Sequence, residues 1–275
     1  MRVDLSCDQH QLTWNELVER VRFAETAGFT GAWVFDHFKA LYGSPDGPCL
    51  EAWTLLAGLA ASTSTVRLGA LVTGATYRHP SVLAAEAVTV DHISGGRLDF
   101  GIGAAWFEQE HRELGIEFPS VGRRLDRLED TLQIATRLWT SPGAASYDGH
   151  AFRLQGARFR PLPVQRPHPP IWIGGGGERR TLPLVARFAD VWHGFGSSVE
   201  LARKSRLLDE LCDKAGRDPA AVARSTSLSL SESNDVVRRR ADALRDAGFT
   251  ILIADWPSEG KARVDEFVSQ VLPRL

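Results

Sequence analysis

"IWIGGGGERRTLPLVARFADVW" occupies residues 171–192. Three apolar residues run straight into four consecutive glycines, Gly174 to Gly177. Two arginines, a threonine and an apolar run with helical spacing follow, and a second apolar segment begins at its end. The pattern predicts a strand, a glycine turn, a helix and a new strand, which is one parallel βαβ unit. Whether that unit recurs decides the fold.

It recurs in both directions. Towards the N-terminus, strands are predicted at 3–6, 31–38, 66–73 and 97–103, with helices at 13–29, 50–63 and 80–94. A further helical stretch from Glu108 to Trp139 breaks near "GIEFPSVG". Thr13 with Glu16 has the spacing of a capping box, Gly28 is a stop signal, and Pro80 suits a first helical turn. Towards the C-terminus, strands at 190–195, 223–230 and 249–255 alternate with helices at 198–216, 235–248 and 261–272. Eight strands alternating with helices predict a (β/α)8 TIM barrel as one domain over residues 1–275, with a doubly wound open sheet as the alternative. The Pro- and Gly-rich section 140–170 excludes a long helix and reads as an insertion in the barrel, with Tyr147 to Leu154 as a small hairpin.

A chain of 275 residues that is 43% hydrophobic and 24% charged can bury a sizeable core. Its formal net charge of −2 provides no general attraction to nucleic acid or an acidic membrane. No apolar run approaches the roughly 18 residues of a membrane span, and the N-terminus lacks the apolar segment of a secretory signal. A cytoplasmic protein acting on a small molecule, with neither nucleic acid nor membrane as partner, is expected. Cys7, Cys49 and Cys212 lie far apart with no zinc-like spacing, so reduced thiols and no metal are expected.

A barrel puts its active site at the C-terminal ends of the strands. Those ends carry Ser6-Cys7-Asp8, Asp36-His37, Thr73-Gly74, Gly103-Ala104-Ala105-Trp106, Gly174 to Gly177, His193-Gly194, Ser231 and Asp255-Trp256. Few carboxylates, no thiol beside a histidine, and much small or apolar surface suit a flat organic cofactor better than a metal cage or a hydrolytic triad. His37 is the candidate for proton chemistry. Asp36 either sets its tautomer or anchors the loop, and strand capping is the alternative for the histidine. His79, ahead of Pro80, reads as structural, and His92 and His111 as solvated or packed. Asp91 and Arg97 read as a buried support pair beneath the site.

The four glycines offer free N–H groups and close backbone approach, and the helix after them adds unpaired N–H groups. Pro183 places the helix start near Arg180 or Thr181, with Thr181 as the N-cap and Arg179 and Arg180 near any bound anion. A phosphate cradle is expected, with a packing turn as the alternative. The segment is neither a P-loop nor a GxGxxG fingerprint.

In this order, "AETAGFTGAWVFDHF", "VRLGALVTGATYRHPSVLAAEAVTVDHISGGRLDFGIGAAWFEQEHRELGIEFPS", "RLDRLEDTLQIATRLW" and "RPHPPIWIGGGGERRTLPLVARFADVW" resemble the bacterial luciferase-like monooxygenase superfamily, and more closely its branch of oxidoreductases that use the deazaflavin coenzyme F420. The resemblance implies a barrel with cofactor on its C-terminal face. It places the phosphate at Gly174, Gly175, Gly176 and Gly177 and the ring against Asp36, His37, Leu71, Val72, Thr73, Gly103, Ala104 and Ala105. It implies a non-prolyl cis peptide within Leu71-Val72-Thr73, a homodimer, and an acid/base role for His37; Trp106, aligned with a catalytic position of the family, is the second catalytic candidate. Sugar-phosphate dehydrogenases of the family carry a glutamate where Trp106 stands, so an apolar, planar substrate suits Trp106 and Phe107 better. Hydride transfer with coenzyme F420 is the leading expectation. An FMN-dependent monooxygenase and a non-catalytic flavin-binding barrel remain alternatives, because a glycine cradle touches only the phosphate. A non-redox barrel enzyme would want a lysine or glutamate at a strand end, and none stands out.

Overall fold

The computed structural model describes residues 1–275. Its eight-position parallel barrel is formed by β1 (Arg2–Ser6), β2 (Gly31–Val34), β3 (Arg67–Ala70) continued by β4 (Thr73–Gly74), β5 (Leu98–Gly103), β8 (Ile171–Gly174), β9 (Val191–Gly194), β10 (Ala223–Leu228) and β11 (Ile251–Ala254). Neighbours pair in parallel around the sheet, and the β3–β5 pairing closes it. Closure removes both sheet edges and excludes the open-sheet alternative.

The helices are α1 (Trp14–Thr26), α2 (Ala52–Ser62), α3 (Pro80–Ser94), α4 (Glu108–Glu113), α5 (Val121–Thr140), α6 (Thr181–Phe188), α7 (Ser198–Lys214), α8 (Asn234–Asp246) and α9 (Lys261–Gln270). Thr13 and Glu16 form the expected capping box on α1, and Pro80 is the first residue of α3. His79 caps α3 by accepting from the Ser81 N–H, the structural role expected of it. No helix is long and apolar enough to cross a membrane.

The core has two compartments. Most buried apolar side chains lie between barrel and helices, and a smaller cluster of Trp33, Trp172, Val191, Ile251 and Ile253 fills the barrel interior. An ion-pair network joins Arg2 to Asp4 and Asp99, and Arg67 to Asp99, while the Trp33 indole N–H donates to Asp4 at 2.8 Å. These partnered charges and the packed side chains around them make the barrel a filled core rather than a pore.

The insertion holds an antiparallel hairpin, β6 (Ala145–Asp148) and β7 (Arg153–Ala157), with Tyr147 opposite Leu154. Buried Asp130 on α5 secures its turn, accepting from the Tyr147 hydroxyl and from the N–H groups of His150, Ala151 and Phe152. Asp91 and Arg97 do not pair with each other. Asp91 accepts from Val164 and Gln165 of the insertion, whereas Arg97 donates to the carbonyls of Ala60, Thr63, Val66 and Ser94. Each finds nearer partners than the other, because the insertion folds back against α3. All three cysteines are free thiols.

β2 and β3 stop three or more residues short of their predicted ends. β2 ends at Val34 because side chains take over the backbone beyond it. Gln9 accepts from the Phe35 N–H at 2.9 Å, and Glu110 accepts from Phe38 and Lys39 at 2.8 and 3.1 Å. β3 is separated from β4 at Leu71-Val72, whose peptide bond is cis. Both breaks lie at the C-terminal mouth of the barrel.

Candidate active site

A cavity of about 530 Å3 opens at that mouth. Its wall runs from Phe35, Asp36 and His37 after β2, through Leu71 to Gly74, Tyr77 and Gly103 to Trp106, to Gly174, Gly175, Thr181 and Phe195. Most of the lining is apolar or small, and the polar groups are gathered at one end.

That end is built around Glu110 on α4. Its carboxylate is buried and makes four contacts. One oxygen accepts from Phe38 and Lys39. The other accepts from His37 Nδ1 at 3.0 Å and from the Tyr77 hydroxyl at 2.5 Å. The hydrogen bonds from His37 and Tyr77 outweigh burial and hold the Glu110 carboxyl below its ordinary range. Burial and the same carboxylate push the Tyr77 hydroxyl up, so it stays protonated and donates. An ionised Glu110 requires a proton on His37 Nδ1. Nε2 then has no protein partner, on a ring that lines the cavity.

Asp36 does a different job from its neighbour. Its buried carboxylate accepts from Arg78 at 2.7 and 2.9 Å and from the Gly74 N–H at 3.3 Å. Arg78 also pairs with Glu51 and Glu86. Asp36 therefore anchors the loop, and the tautomer of His37 is set by Glu110. Both residues border the cavity, but Asp36 is held by Arg78 and His37 by Glu110.

Trp106 is 66% exposed. It stacks on Phe107 at 5.1 Å and meets His37 edge-on at 5.9 Å. It makes no side-chain hydrogen bond, so it supplies an apolar face rather than a proton. Val72 lies over the glycines of two strands: a Cβ built at either Gly103 or Gly174 would sit 2.9 Å from its methyl groups. A Cβ at Gly74 would meet the Tyr77 ring at 2.7 Å. These glycines let one flat wall approach another.

At the opposite end Gly174 and Gly175 line the cavity, Gly176 and Gly177 continue the turn just outside it, and the four glycines have separate surroundings. Gly174 makes room for Val72, and Gly175 adopts a φ of +125°, where a side chain is strained. A Cβ at Gly176 would lie 2.7 Å from Lys204 Nζ, and one at Gly177 would lie 2.9 Å from Thr181 Oγ1. Helix α6 begins at Thr181, so Thr181 is its first residue and not its N-cap. Arg180 holds the cap position and makes no side-chain capping bond. The arginines also depart from expectation. Arg180 pairs with Asp126 and Glu129 of α5, and Arg179 is exposed outside the cavity lining. Carboxylates on α5 are nearer to Arg180 than the glycine turn and claim its charge.

A flavin or deazaflavin with a ribityl phosphate suits this arrangement. The volume falls within the roughly 300–1,000 Å3 of small-molecule cofactor pockets. The walls are flat and apolar, and the glycine turn lies where a side chain at Gly175 would be strained. Glu110, Tyr77 and Lys204 were invisible in the sequence. Glu110 stands between Glu108 and Glu113 in a polar helix, and nothing local separates the three. His193 and Asp255, both at strand ends, are not in the cavity wall. His193 is buried and bonded to Ser225 at 3.1 Å, and Asp255 accepts from Ser229 and Leu230. His111, expected to be packed or solvated, is packed: it stacks on Tyr77 at 4.6 Å and contacts Thr76 at 2.7 Å.

A family model described as luciferase-like monooxygenase matches residues 1–268. An F420-dependent hydroxymycolic acid dehydrogenase of Mycobacterium tuberculosis (strain ATCC 25618 / H37Rv) is 27% identical over 259 residues, 93% of this chain and 69% of that protein. The oxygenase component of a flavin-dependent trigonelline monooxygenase of Acinetobacter baylyi (strain ATCC 33305 / BD413 / ADP1) is 34% identical over 174 residues, 62% of this chain and 46% of that protein. Among solved structures, an F420-dependent secondary alcohol dehydrogenase in complex with an F420-acetone adduct superposes with a TM-score of 0.88. It covers 98% of both chains at 16% identity, a likeness of fold.

Proposed function

This chain belongs to the luciferase-like monooxygenase family of oxidoreductases, and from that premise we propose that it transfers a hydride between coenzyme F420 and a small, largely apolar organic substrate. The observation that carries the reading is the pairing of His37 Nδ1 with buried Glu110, which leaves Nε2 unpartnered on an otherwise apolar cavity wall. A redox site that moves two electrons and one proton needs one such group and little other polar chemistry.

When bound, the deazaflavin supplies the hydride acceptor or donor. Leu71 to Thr73, Gly103 to Ala105 and Gly174 to Gly177 are the residues that would hold it, with the phosphate at the last group. His37 Nε2 takes the proton released as the substrate is oxidised, and returns it in the reverse direction. Glu110 keeps the imidazole in the tautomer with Nε2 free and stabilises it once protonated. Trp106 and Phe107 offer the substrate an aromatic face and exclude water, so the chain's contribution is mainly orientation and one proton.

The FMN-dependent monooxygenase is the second reading, favoured by the likeness to the trigonelline enzyme. Titration of the purified protein with coenzyme F420 and with FMN, followed by fluorescence quenching, separates the two. We expect tighter F420 binding, and bleaching of oxidised F420 by at least one alcohol from a panel. Tighter FMN binding would overturn the leading reading.

A further inference from the structure

We propose that Lys204, on α7 and outside the glycine segment, is the cation that grips the phosphate of the bound cofactor. The proposal rests on the cofactor reading above and adds to it the residue that recognises the anion. Lys204 lies along Gly176 so closely that its Nζ, Cδ and Cε are the three atoms a Cβ there would meet first, at 2.7, 3.4 and 3.5 Å. A side chain at position 176 would have to push the end of the lysine aside.

Of the cations around the turn, Lys204 and the exposed Arg179 are the two whose charge is left free, and only Lys204 lies along Gly176. Arg180 is paired with Asp126 and Glu129, and Arg203, the neighbour of Lys204 on α7, is paired with Glu178. Glu178 and Glu200 are near enough to Lys204 to feel its charge, but each has other partners: Arg203 for Glu178, and the N–H and hydroxyl of Ser197 for Glu200. Lys204 itself makes no hydrogen bond and no ion pair. An ammonium group held against a glycine turn, beside the Thr181 hydroxyl at Gly177, matches a phosphate with one compact charge and one neutral donor.

The test compares ligands that differ only in the phosphate. FMN is set against riboflavin, and the F420 chromophore carrying a ribityl 5′-phosphate against the same chromophore ending at the ribityl hydroxyl, in wild-type protein, Lys204→Gln and Gly176→Ala. For the ring that binds, Lys204→Gln should weaken the phosphorylated ligand about tenfold and leave its unphosphorylated parent unchanged. Gly176→Ala, whose methyl displaces the ammonium without removing it, should give the same selective loss. The double variant should be no worse than the poorer single one. Equal weakening of both ligands would mean a structural role and overturn the proposal. So would unchanged affinities, or a selective loss with Arg179→Gln and none with Lys204→Gln. If wild-type protein binds neither ring, the cofactor reading itself fails and this proposal falls with it.

Discussion

The two ends of the cavity solve opposite problems. At the β2–β3 end the polar groups are buried and shared out: Glu110 serves His37, Tyr77 and two backbone N–H groups, while Asp36 serves Arg78 and Gly74. At the β8–β9 end the groups are backbone and small residues, with Lys204 against Gly176 and making no ion pair. Satisfied networks in a low-dielectric setting hold side chains in one orientation, which proton transfer requires. An open glycine turn beside a free charge can only grip. The proposed function accordingly puts the chemistry at the first end and retention at the second.

The hardest test of that division is His37→Ala. Turnover of the substrate found in the panel should fall about a thousandfold, while cofactor affinity changes less than about threefold. Full activity in this variant would remove His37 from the mechanism. Glu110→Gln should cost about ten- to a hundredfold in kcat with a smaller change in KM, because the amide lets the imidazole adopt the wrong tautomer. An unchanged kcat would reduce Glu110 to a loop anchor.

Asp36→Asn sharpens the contrast between neighbours. It removes the most buried of the three carboxylates around Arg78, while Glu51 and Glu86 remain, and should cost about 1–2 kcal/mol of stability in denaturant unfolding. Turnover per folded molecule should change far less than in His37→Ala. A catalytic loss equal to that of His37→Ala, without destabilisation, would place Asp36 in the chemistry.

Acid should weaken the fold through histidines outside the cavity wall. Burial pushes His193 down to about 3 and His10 down to about 4, from an ordinary 6.5. Below pH 6.5 the unfolded chain takes up these protons and the folded chain does not, so stability is lost as the pH falls from 6.5 towards 3. His193 alone contributes a slope of up to about 1.4 kcal/mol per pH unit. Urea midpoints at pH 7, 6 and 5 should show the decline, and His193→Gln should flatten it. An equally steep decline in that variant would assign the effect to other groups.

The smallest effect is expected from Trp106→Ala. An exposed aromatic face contributes substrate affinity, so KM should rise about three- to tenfold with kcat nearly kept. A collapse in kcat would give the indole a larger part.

Much of this was legible in the linear chain. The eight strands could be read because apolar runs, caps and glycine stops are local signals. His37 could be read because it stands at a strand end. The cis bond at Leu71-Val72 could not be read from its apolar residues and was anticipated only through the family resemblance. Thr181 was misplaced by one position, since the start of a helix depends on the path of the turn before it. Arg180 was assigned to the anion because its partners on α5 lie some fifty residues earlier.

The parallel barrel, the insertion with its hairpin and the glycine turn between β8 and α6 follow from local pattern, because periodicity and backbone freedom are properties of neighbouring residues. Which charges meet follows from closure of the barrel. Glu110 reaches His37 across 73 residues of chain, and Lys204 reaches Gly176 from α7, beyond the next strand. Pairings at such separations carry no local pattern. They exist once hydrophobic closure of the barrel has brought the strand ends together, and burial then makes each charge keep the nearest partner it finds.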